Sequence, residues 1–162
     1  MIYNDIVEFA GACGPGRALA GLDFGSKTIG IAVSDRMLGV ATPLETIRRK
    51  KFGVDVAKLL DILNARAIGG LVLGLPRNMD GTEGPRCQST RAFAHNLSVL
   101  TDLPIGFWDE RLSTVAAERA LLEANTSRKR RAEVIDHVAA GCILQGALDR
   151  MRYTRTTGDK DT

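Results

Sequence analysis

Residues 18–36 read ALAGLDFGSKTIGIAVSDR, and this stretch decides the fold of the chain. Its first part, Ala18 to Asp23, is almost wholly apolar. Its last part alternates larger apolar residues with small ones, and that period of two is typical of a strand. The intervening residues 24–28 (FGSKT) have the composition of a turn. The pattern predicts a β-hairpin with one carboxylate, Asp23, where an apolar strand meets its turn.

Asp23 has two interpretations at this point. A carboxylate at the end of a buried strand costs free energy unless it is paired with, or bound to, a cation. An Asp that forms the turn, by bonding to the backbone of Gly25 or Ser26, explains the residue as well. The hairpin alone leaves both interpretations open.

Bulk composition indicates one globular domain, since the chain has 162 residues of which 44% are hydrophobic. The net charge is only +3, but 8 of the 22 Lys and Arg residues lie in two basic tetrads, residues 48–51 and 128–131. Such clusters are typical of phosphate-binding patches, although solvated loops also carry them. The chain lacks an apolar run of ~20 residues and a basic leader segment. We therefore expect a cytoplasmic protein with no membrane partner.

The remaining patterns predict the element order β-β-β-α-β-α-β-α-α. This order predicts an α/β sheet of three antiparallel strands followed by parallel strands. Residues 1–16 are weakly patterned, and we expect a flexible N-terminal arm before a domain at 17–151 and a disordered tail at 152–162. After the hairpin, strands are predicted at 38–47, 68–75 and 104–108, and helices at 54–66, 86–101, 113–124 and 132–151.

Acidic residues follow two of the predicted strands. Ligands of such sheets gather outside the carboxyl ends of the parallel strands, where Asp23, Asp109 and Glu110 lie. Adjacent strand residues face opposite ways, so only one of Asp109 and Glu110 can point into a shared site. We choose Glu110, because its longer side chain can reach a metal that two Asp residues also hold.

Asp136 is the third acidic candidate. It shares a helical face with Ala139, Ala140, Ile143 and Ala147, which is suited to close packing on the sheet. A lone ionised Asp is expensive to bury there, and three converging carboxylates would repel one another. A divalent cation resolves both problems, because Mg²⁺ and Mn²⁺ favour carboxylate and water oxygens.

These three carboxylates, Asp23, Glu110 and Asp136, form the predicted catalytic metal site, which would hold Mg²⁺ or Mn²⁺ with two ions in the active complex. In the alternative, each carboxylate is capped or paired separately, Glu110 with Arg111. The loop 76–85 is rich in Pro and Gly, and we expect it to be mobile and to order over substrate. The residues predicted to bind substrate are Lys27, Arg77, Asn78, Arg111, Arg128, Lys129, Arg130 and Arg131.

Four motifs in order, DFGSKTIGIAVSD, GLPRNMDGTEG, DERLST and IDHVAA, resemble the YqgF/RuvX family over about residues 18–150. The resemblance implies an RNase H-like (RuvC-like) fold, with a mixed five-stranded sheet flanked by helices, and a divalent-metal nuclease. The family's acidic positions match Asp23, Glu110 and Asp136. The chain departs from the family at His137, where a small residue is expected, and this leaves the outer shell of the metal site undefined.

The resemblance also implies a substrate. Family members are associated with maturation of the 5′ end of pre-16S ribosomal RNA, so we expect precursor rRNA and a ribosomal subunit precursor as partners, with the protein a monomer or weak homodimer. Older naming suggests a Holliday junction resolvase-like endonuclease acting on structured DNA. A non-catalytic nucleic-acid-binding module is a further alternative. An ATP-binding phosphotransferase is another, because DFGSKT also resembles a phosphate-binding hairpin of the actin–sugar kinase superfamily.

Overall fold

The computed structural model describes residues 1–113 and 128–160, and within these the side chains of 128–136 and 155–160 are not described. The strands are β1 (Ile2–Tyr3), β2 (Ala20–Phe24), β3 (Thr28–Ser34), β4 (Ala41–Arg48), β5 (Leu71–Leu75) and β6 (Ile105–Asp109). The helices are α1 (Ile6–Ala12), α2 (Phe52–Ala65), α3 (Pro85–Ser98) and α4 (Arg128–Lys160), with a 3₁₀ turn at Glu110–Leu112.

The strands form one mixed sheet in the order β1-β6-β5-β2-β3-β4. Antiparallel pairing joins β2, β3 and β4, and parallel pairing joins β2 to β5, β5 to β6 and β6 to β1. This arrangement confirms the predicted α/β class, with three antiparallel strands followed by parallel ones. The sheet has six strands rather than the predicted five, because the short β1 pairs with β6.

The predicted flexible arm at residues 1–16 instead contains ordered structure. Strand β1 pairs with β6 through Ile2 and Ile105. Helix α1 is capped by Asp5, and it buries Phe9 completely. The ring of Phe9 packs on the bare backbone of Gly106, where a Cβ would lie only 2.6 Å from it. A segment this short has no periodicity to reveal its order, which comes from contact with the sheet.

The C-terminal end also differs from the prediction. Helix α4 continues through Lys160, although residues 152–162 were expected to be a disordered tail. Arg152 belongs to this continuation, and its Nη2 donates to the carbonyl of Gly39 at 2.9 Å. A composition rich in polar residues predicts a tail, but it does not exclude an exposed continuation of a packed helix.

The two faces of the sheet pack differently. Large aliphatic side chains cover one face, against α2 and α3, whereas the other face, against α4, combines Leu19, Val72 and Trp108 with small residues such as Gly21 and Ala32. On the second face a Cβ at Gly21 would lie 2.7 Å from Cβ of Leu144, so the helix rests almost directly on the strand. Both faces are buried, so β3 is buried on two sides. The first face includes Leu22, Ile29, Ile31, Leu71, Leu73 and Phe107, and α4 contributes Ala139, Ala140, Ile143, Leu144 and Ala147 to the second.

The tetrad 128–131 lies within the described part of helix α4 and not in a loop before the helix. The prediction missed this because a run of four charges resembles a solvated connection. The helix predicted at 113–124 lies outside the described residues apart from Ser113, whose Oγ donates to the carbonyl of Glu110 at 2.9 Å. Within the described ranges, no helix is long and apolar enough to cross a membrane.

Candidate metal and nucleic-acid site

Asp23 lies near the end of β2, where its side chain is only 2% exposed. Side chains alternate along a strand, so Asp23 lies on the same face as Gly21, which faces α4. Its partner on β3 is Gly30, which has no side chain to fill the space beside the carboxylate. The amide of Gly25, which the turn interpretation assigned to Asp23, donates instead to the carbonyl of Thr28 at 2.9 Å. Asp23 is therefore a buried carboxylate beneath α4.

Glu110 reaches the same region across Gly74. Its Oε1 is buried, and a Cβ at Gly74 would lie 2.7 Å from that oxygen and 2.5 Å from Cδ1 of Ile143. Gly74 pairs with Trp108 on β6. On its other side, the last residue pair of β2 and β5 is Leu22 with Leu73, and one further step in this register places Asp23 next to Gly74. The backbones of β2 and β6 are about 10 Å apart, at two strand spacings. The missing side chain at Gly74 thus lets Glu110 and Ile143 approach the strand next to Asp23.

Asp109 differs from its neighbour Glu110. Its carboxylate is paired with Arg111, whose Nη2 lies 2.7 Å from Oδ2. Partial burial raises the pKa of Asp109, but the hydrogen bonds and the charge of Arg111 outweigh it and hold the pKa below its usual value. The alternative with separately paired carboxylates assigned Arg111 to Glu110, whereas the structure pairs it with Asp109. Alternation along β6 places Asp109 on the α2/α3 side.

Helix α4 contacts β4 at residue 137. Nδ1 of His137 and Oγ1 of Thr46 are hydrogen-bonded at 3.0 Å. Thr46 pairs with Gly30, and Gly30 pairs with Asp23, so this contact fixes the helix at the level of the buried carboxylate. Asp136 immediately precedes His137 in the helix, but its side chain lies outside the description. Its role as the third ligand therefore remains a prediction.

The donor set suits a hard divalent cation. Asp23 and Glu110 offer carboxylate oxygens, which Mg²⁺ and Mn²⁺ prefer. Carboxylates that converge disfavour each other's ionised form, and a cation removes that penalty. Gly74 lets Oε1 of Glu110 and Cδ1 of Ile143 approach the strand, because a Cβ there would clash with both. Among side chains that the structure describes, no group of three or more His, Cys, Asp or Glu could hold a metal. The predicted third ligand, Asp136, is not among those side chains.

The loop after β5 has a defined shape, although its composition predicted mobility. The amide of Asn78 donates to the carbonyl of Thr82 at 2.9 Å, and its Nδ2 donates to Oγ1 of Thr82 at 3.0 Å. Asp80 accepts from the hydroxyl of Thr82 at 2.6 Å and from its amide at 3.0 Å, and these two bonds lower the pKa of Asp80. The side chain of Asn78, predicted to meet substrate, is thus used within the loop.

Arg77 and Arg111 connect this loop to its surroundings. Nη2 of Arg77 lies 3.7 Å from Oε2 of Glu83, and its buried Nε has no hydrogen-bond partner among the described residues. Nη1 of Arg111 donates to the carbonyl of Met79 at 3.4 Å. Both predicted substrate-binding arginines therefore lie beside the loop, where Arg111 is already engaged by Asp109.

The first basic tetrad meets the hairpin turn, because β4 ends beside the start of β3. Arg49 donates to the carbonyls of Gly25 at 2.7 Å and Ser26 at 3.1 Å, and its guanidinium lies 4.3 Å from the centroid of the Phe24 ring. Arg49 thus supports the turn, which presents the exposed Lys27. The side chains of the second tetrad, residues 128–131, lie outside the described ones.

Sequence reasoning missed Gly74 and the contact between Thr46 and His137. The segment LVLGL could have pointed to Gly74, because a glycine inside a buried strand often marks the close approach of another group. No sequence pattern connects Thr46 with His137, because the contact depends on where α4 crosses β4.

Comparison with known proteins identifies the family of this chain. The family model described as "RuvX: Holliday junction resolvase" matches residues 17–150. A protein of Ruegeria sp. (strain TM1040), named "Putative pre-16S rRNA nuclease", is 73% identical over 157 residues, covering 97% of this chain and 100% of its own. A protein of the same name from Ruegeria pomeroyi is 74% identical over 152 residues, covering 94% and 99%.

A solved structure of Thermus thermophilus RuvC is similar in fold alone. It has a TM-score of 0.51 at 15% sequence identity, and the match covers 86% of this chain and 96% of that chain. The fold is therefore RuvC-like, and hence RNase H-like, as the resemblance implied. The extent of the family match and the identity to whole relatives show that this chain belongs to the RuvX family, a family of nucleases.

Proposed function

We propose that this chain hydrolyses phosphodiester bonds of precursor 16S rRNA near the 5′ end of the mature RNA, with Mg²⁺ or Mn²⁺ held by Asp23, Glu110 and Asp136. One observation carries the proposal. Asp23 and the buried Oε1 of Glu110 lie on one face of the sheet, either side of Gly74 and beneath α4. The names of the curated relatives support the choice of RNA.

A bound divalent ion, or a pair of them, would polarise a phosphoryl oxygen and lower the pKa of water. The chain's own residues supply the setting for that chemistry. Asp23 and Glu110 would supply carboxylate oxygens to the ion, and Gly74 lets Glu110 lie close to the strand. Ile143 and the buried Trp108 pack beside the site and exclude bulk water from its inner side. Electrostatic interactions are stronger in such a dry space than in water.

Basic residues near the hairpin turn would bind the flanking phosphates. Lys27 is exposed at this turn, and Arg77 lies in the loop that leaves β5 at the same sheet edge. Cationic contacts of this kind supply the sequence-independent part of nucleic-acid affinity. In this proposal the partner is a ribosomal subunit precursor in the cytoplasm, and the protein acts as a monomer or weak homodimer.

The test compares two substrates. An RNA that spans the 5′ boundary of 16S rRNA and a four-way DNA junction of matched length are each incubated with the protein and Mn²⁺. We expect cleavage of the RNA, loss of cleavage on chelation, and loss of cleavage in Asp23→Asn. Asp61→Asn, at an exposed position of α2, is the matched control and should cleave normally.

Two results would contradict the proposal. Cleavage of the junction but not of the RNA would assign the protein to DNA. Tight RNA binding without any cleavage by the wild type would make it a binding module.

A further inference from the structure

Two adjoining grooves open beside the β2–β3 turn, on the α2/α3 side of the sheet. The first, which we call the aromatic groove, has a volume of about 280 Å³ and is bordered by Phe52, Phe93 and Asn96. Small-molecule sites start at roughly 300 Å³, so this groove suits one planar group and not a long chain. Its lining mixes aromatic rings with the polar side chains of Asn96 and Ser89. It also includes Asp55, whose carboxylate accepts from the backbone amide of Lys50 at 3.0 Å.

The second groove, which we call the basic groove, has a volume of about 650 Å³ and contains Lys27, Arg49 and Arg86. It has no acidic side chain among its described lining residues, so its charge is complementary to phosphate. The two grooves share Phe24, Arg49 and Ser89, and they therefore adjoin each other.

Only one ring of the aromatic groove is available for stacking on a ligand. Phe24 stacks on Phe93 at 4.3 Å between centroids, and its other contact is the guanidinium of Arg49, also at 4.3 Å. Phe52 meets Phe93 edge-on at 6.0 Å and keeps 40% of its surface exposed. A partly exposed aromatic ring beside cationic side chains is typical of surfaces that bind single-stranded nucleic acid.

We propose that these grooves together hold one unstacked nucleotide of the RNA strand, with its base against Phe52 and its phosphates at Lys27 and Arg86. The inference rests on the proposed function for the identity of the strand. A nucleotide consists of an aromatic base and an anionic phosphate. The aromatic groove would accept the base, and the adjoining basic groove would accept the phosphate.

The position of the grooves relates this nucleotide to the cleavage site. Phe24 directly follows Asp23, and adjacent strand residues face opposite sides of the sheet. An RNA strand with its reacting phosphate at Asp23 would therefore pass over the β2–β3 turn and enter the basic groove. The bound nucleotide lies within the nearest few positions of the cleaved bond, so the grooves would set sequence or structure preference there.

The test measures RNA binding without cleavage. In the Asp23→Asn background, a single-stranded RNA that spans the cleavage site is titrated with abasic substitutions placed one position at a time. We expect one position at which the abasic change weakens binding at least about fivefold, the lower range for loss of one base stack. Phe52→Ala should cause the same loss, and the two changes combined should lose no more than either alone.

Matched variants separate stacking from damage to α2. Val54→Ala truncates another exposed apolar residue of the same helix, 47% exposed, and should leave affinity unchanged. Phe52→Trp retains a stacking surface and should restore binding. Lys27→Ala with Arg86→Ala should reduce the salt slope by ~0.7 for each lost phosphate contact.

Three results would overturn the inference: no sensitive position, additive losses from the abasic change and Phe52→Ala, or a free mononucleotide that binds as tightly as the strand. The last would indicate a nucleotide ligand instead of an RNA strand. Because the assay needs no cleavage, failure here would leave the nuclease proposal standing, and failure of the cleavage test would leave this binding result interpretable.

Discussion

The two faces of the sheet show how one strand pattern serves both stability and chemistry. On the α2/α3 face, Ile29, Ile31 and their neighbours form a continuous aliphatic core. On the α4 face, Gly21, Gly30 and Gly74 remove side chains, so a helix and two carboxylates can approach the backbone. The comparison teaches that glycines allow the candidate site to form on one face, and that large aliphatic residues on the other face hold the strands in place.

Asp109 and Glu110 provide the sharpest form of this comparison, because they are consecutive carboxylates on opposite sides. Glu110→Gln keeps the shape of the side chain but removes the charge that would hold a cation. We expect cleavage per folded molecule to fall by at least about 100-fold, the upper range for supporting residues of metal sites. Asp109→Asn is the control and should stay within about tenfold of the wild type in the same single-turnover assay. Equal losses of cleavage in both variants would contradict the assignment of the metal site to the α4 face.

Gly74 tests whether the close approach of Glu110 to the strand on the α4 face is needed. Gly74→Ala places a Cβ against Oε1 of Glu110 and Cδ1 of Ile143, so it should lower cleavage by about 10- to 100-fold. Overpacking should also lower the free energy of unfolding by about 1–3 kcal/mol. Gly106→Ala clashes with Phe9 on the same face but away from the carboxylates, so it should lose stability and keep activity. If both variants lose activity in proportion to stability, Gly74 has only a packing role.

The second basic tetrad tests where the substrate lies relative to α4. Arg131 is five residues before Asp136 in this helix, or only ~7.5 Å along its axis, so the tetrad would border the metal site. Replacing Arg128, Lys129, Arg130 and Arg131 by Ala should weaken RNA binding similarly across sequences, with the salt slope falling by ~0.7 per lost contact. An unchanged slope and affinity would show that these charges only solvate the start of α4.

The smallest expected effect concerns acid stability on the α2/α3 side. The pKa of Asp109 is lowered in the folded state, so its ion pair stabilises the fold above the ordinary Asp pKa of ~3.9, and this contribution is lost as pH falls through the lowered value. Asp109→Asn should therefore unfold with a shallower pH dependence below pH ~4, as followed by circular dichroism. A steeper dependence in the variant would mean that other groups dominate acid unfolding.

Alternation and strand order predicted much of this molecule. The hairpin, the mixed sheet and the placement of Glu110 opposite Asp109 all follow from the period of two in strands that are long enough to show it. The order of residues 1–16 was missed, because β1 has two residues and α1 depends on Phe9 meeting Gly106. Gly74 was missed for a related reason, since its importance depends on which groups approach it and not on any property of the residue itself.

Direct measurement of Mn²⁺ binding tests the central claim, that the α4 face of the sheet holds a divalent cation between carboxylates. Isothermal titration of the wild type should show Mn²⁺ binding, which Asp23→Asn, Glu110→Gln and Asp136→Asn should each weaken strongly, whereas Asp109→Asn should retain it. Circular dichroism of each variant would establish that the apo protein is folded. Wild-type affinity for Mn²⁺ in folded Asp23→Asn and Glu110→Gln would contradict the claim.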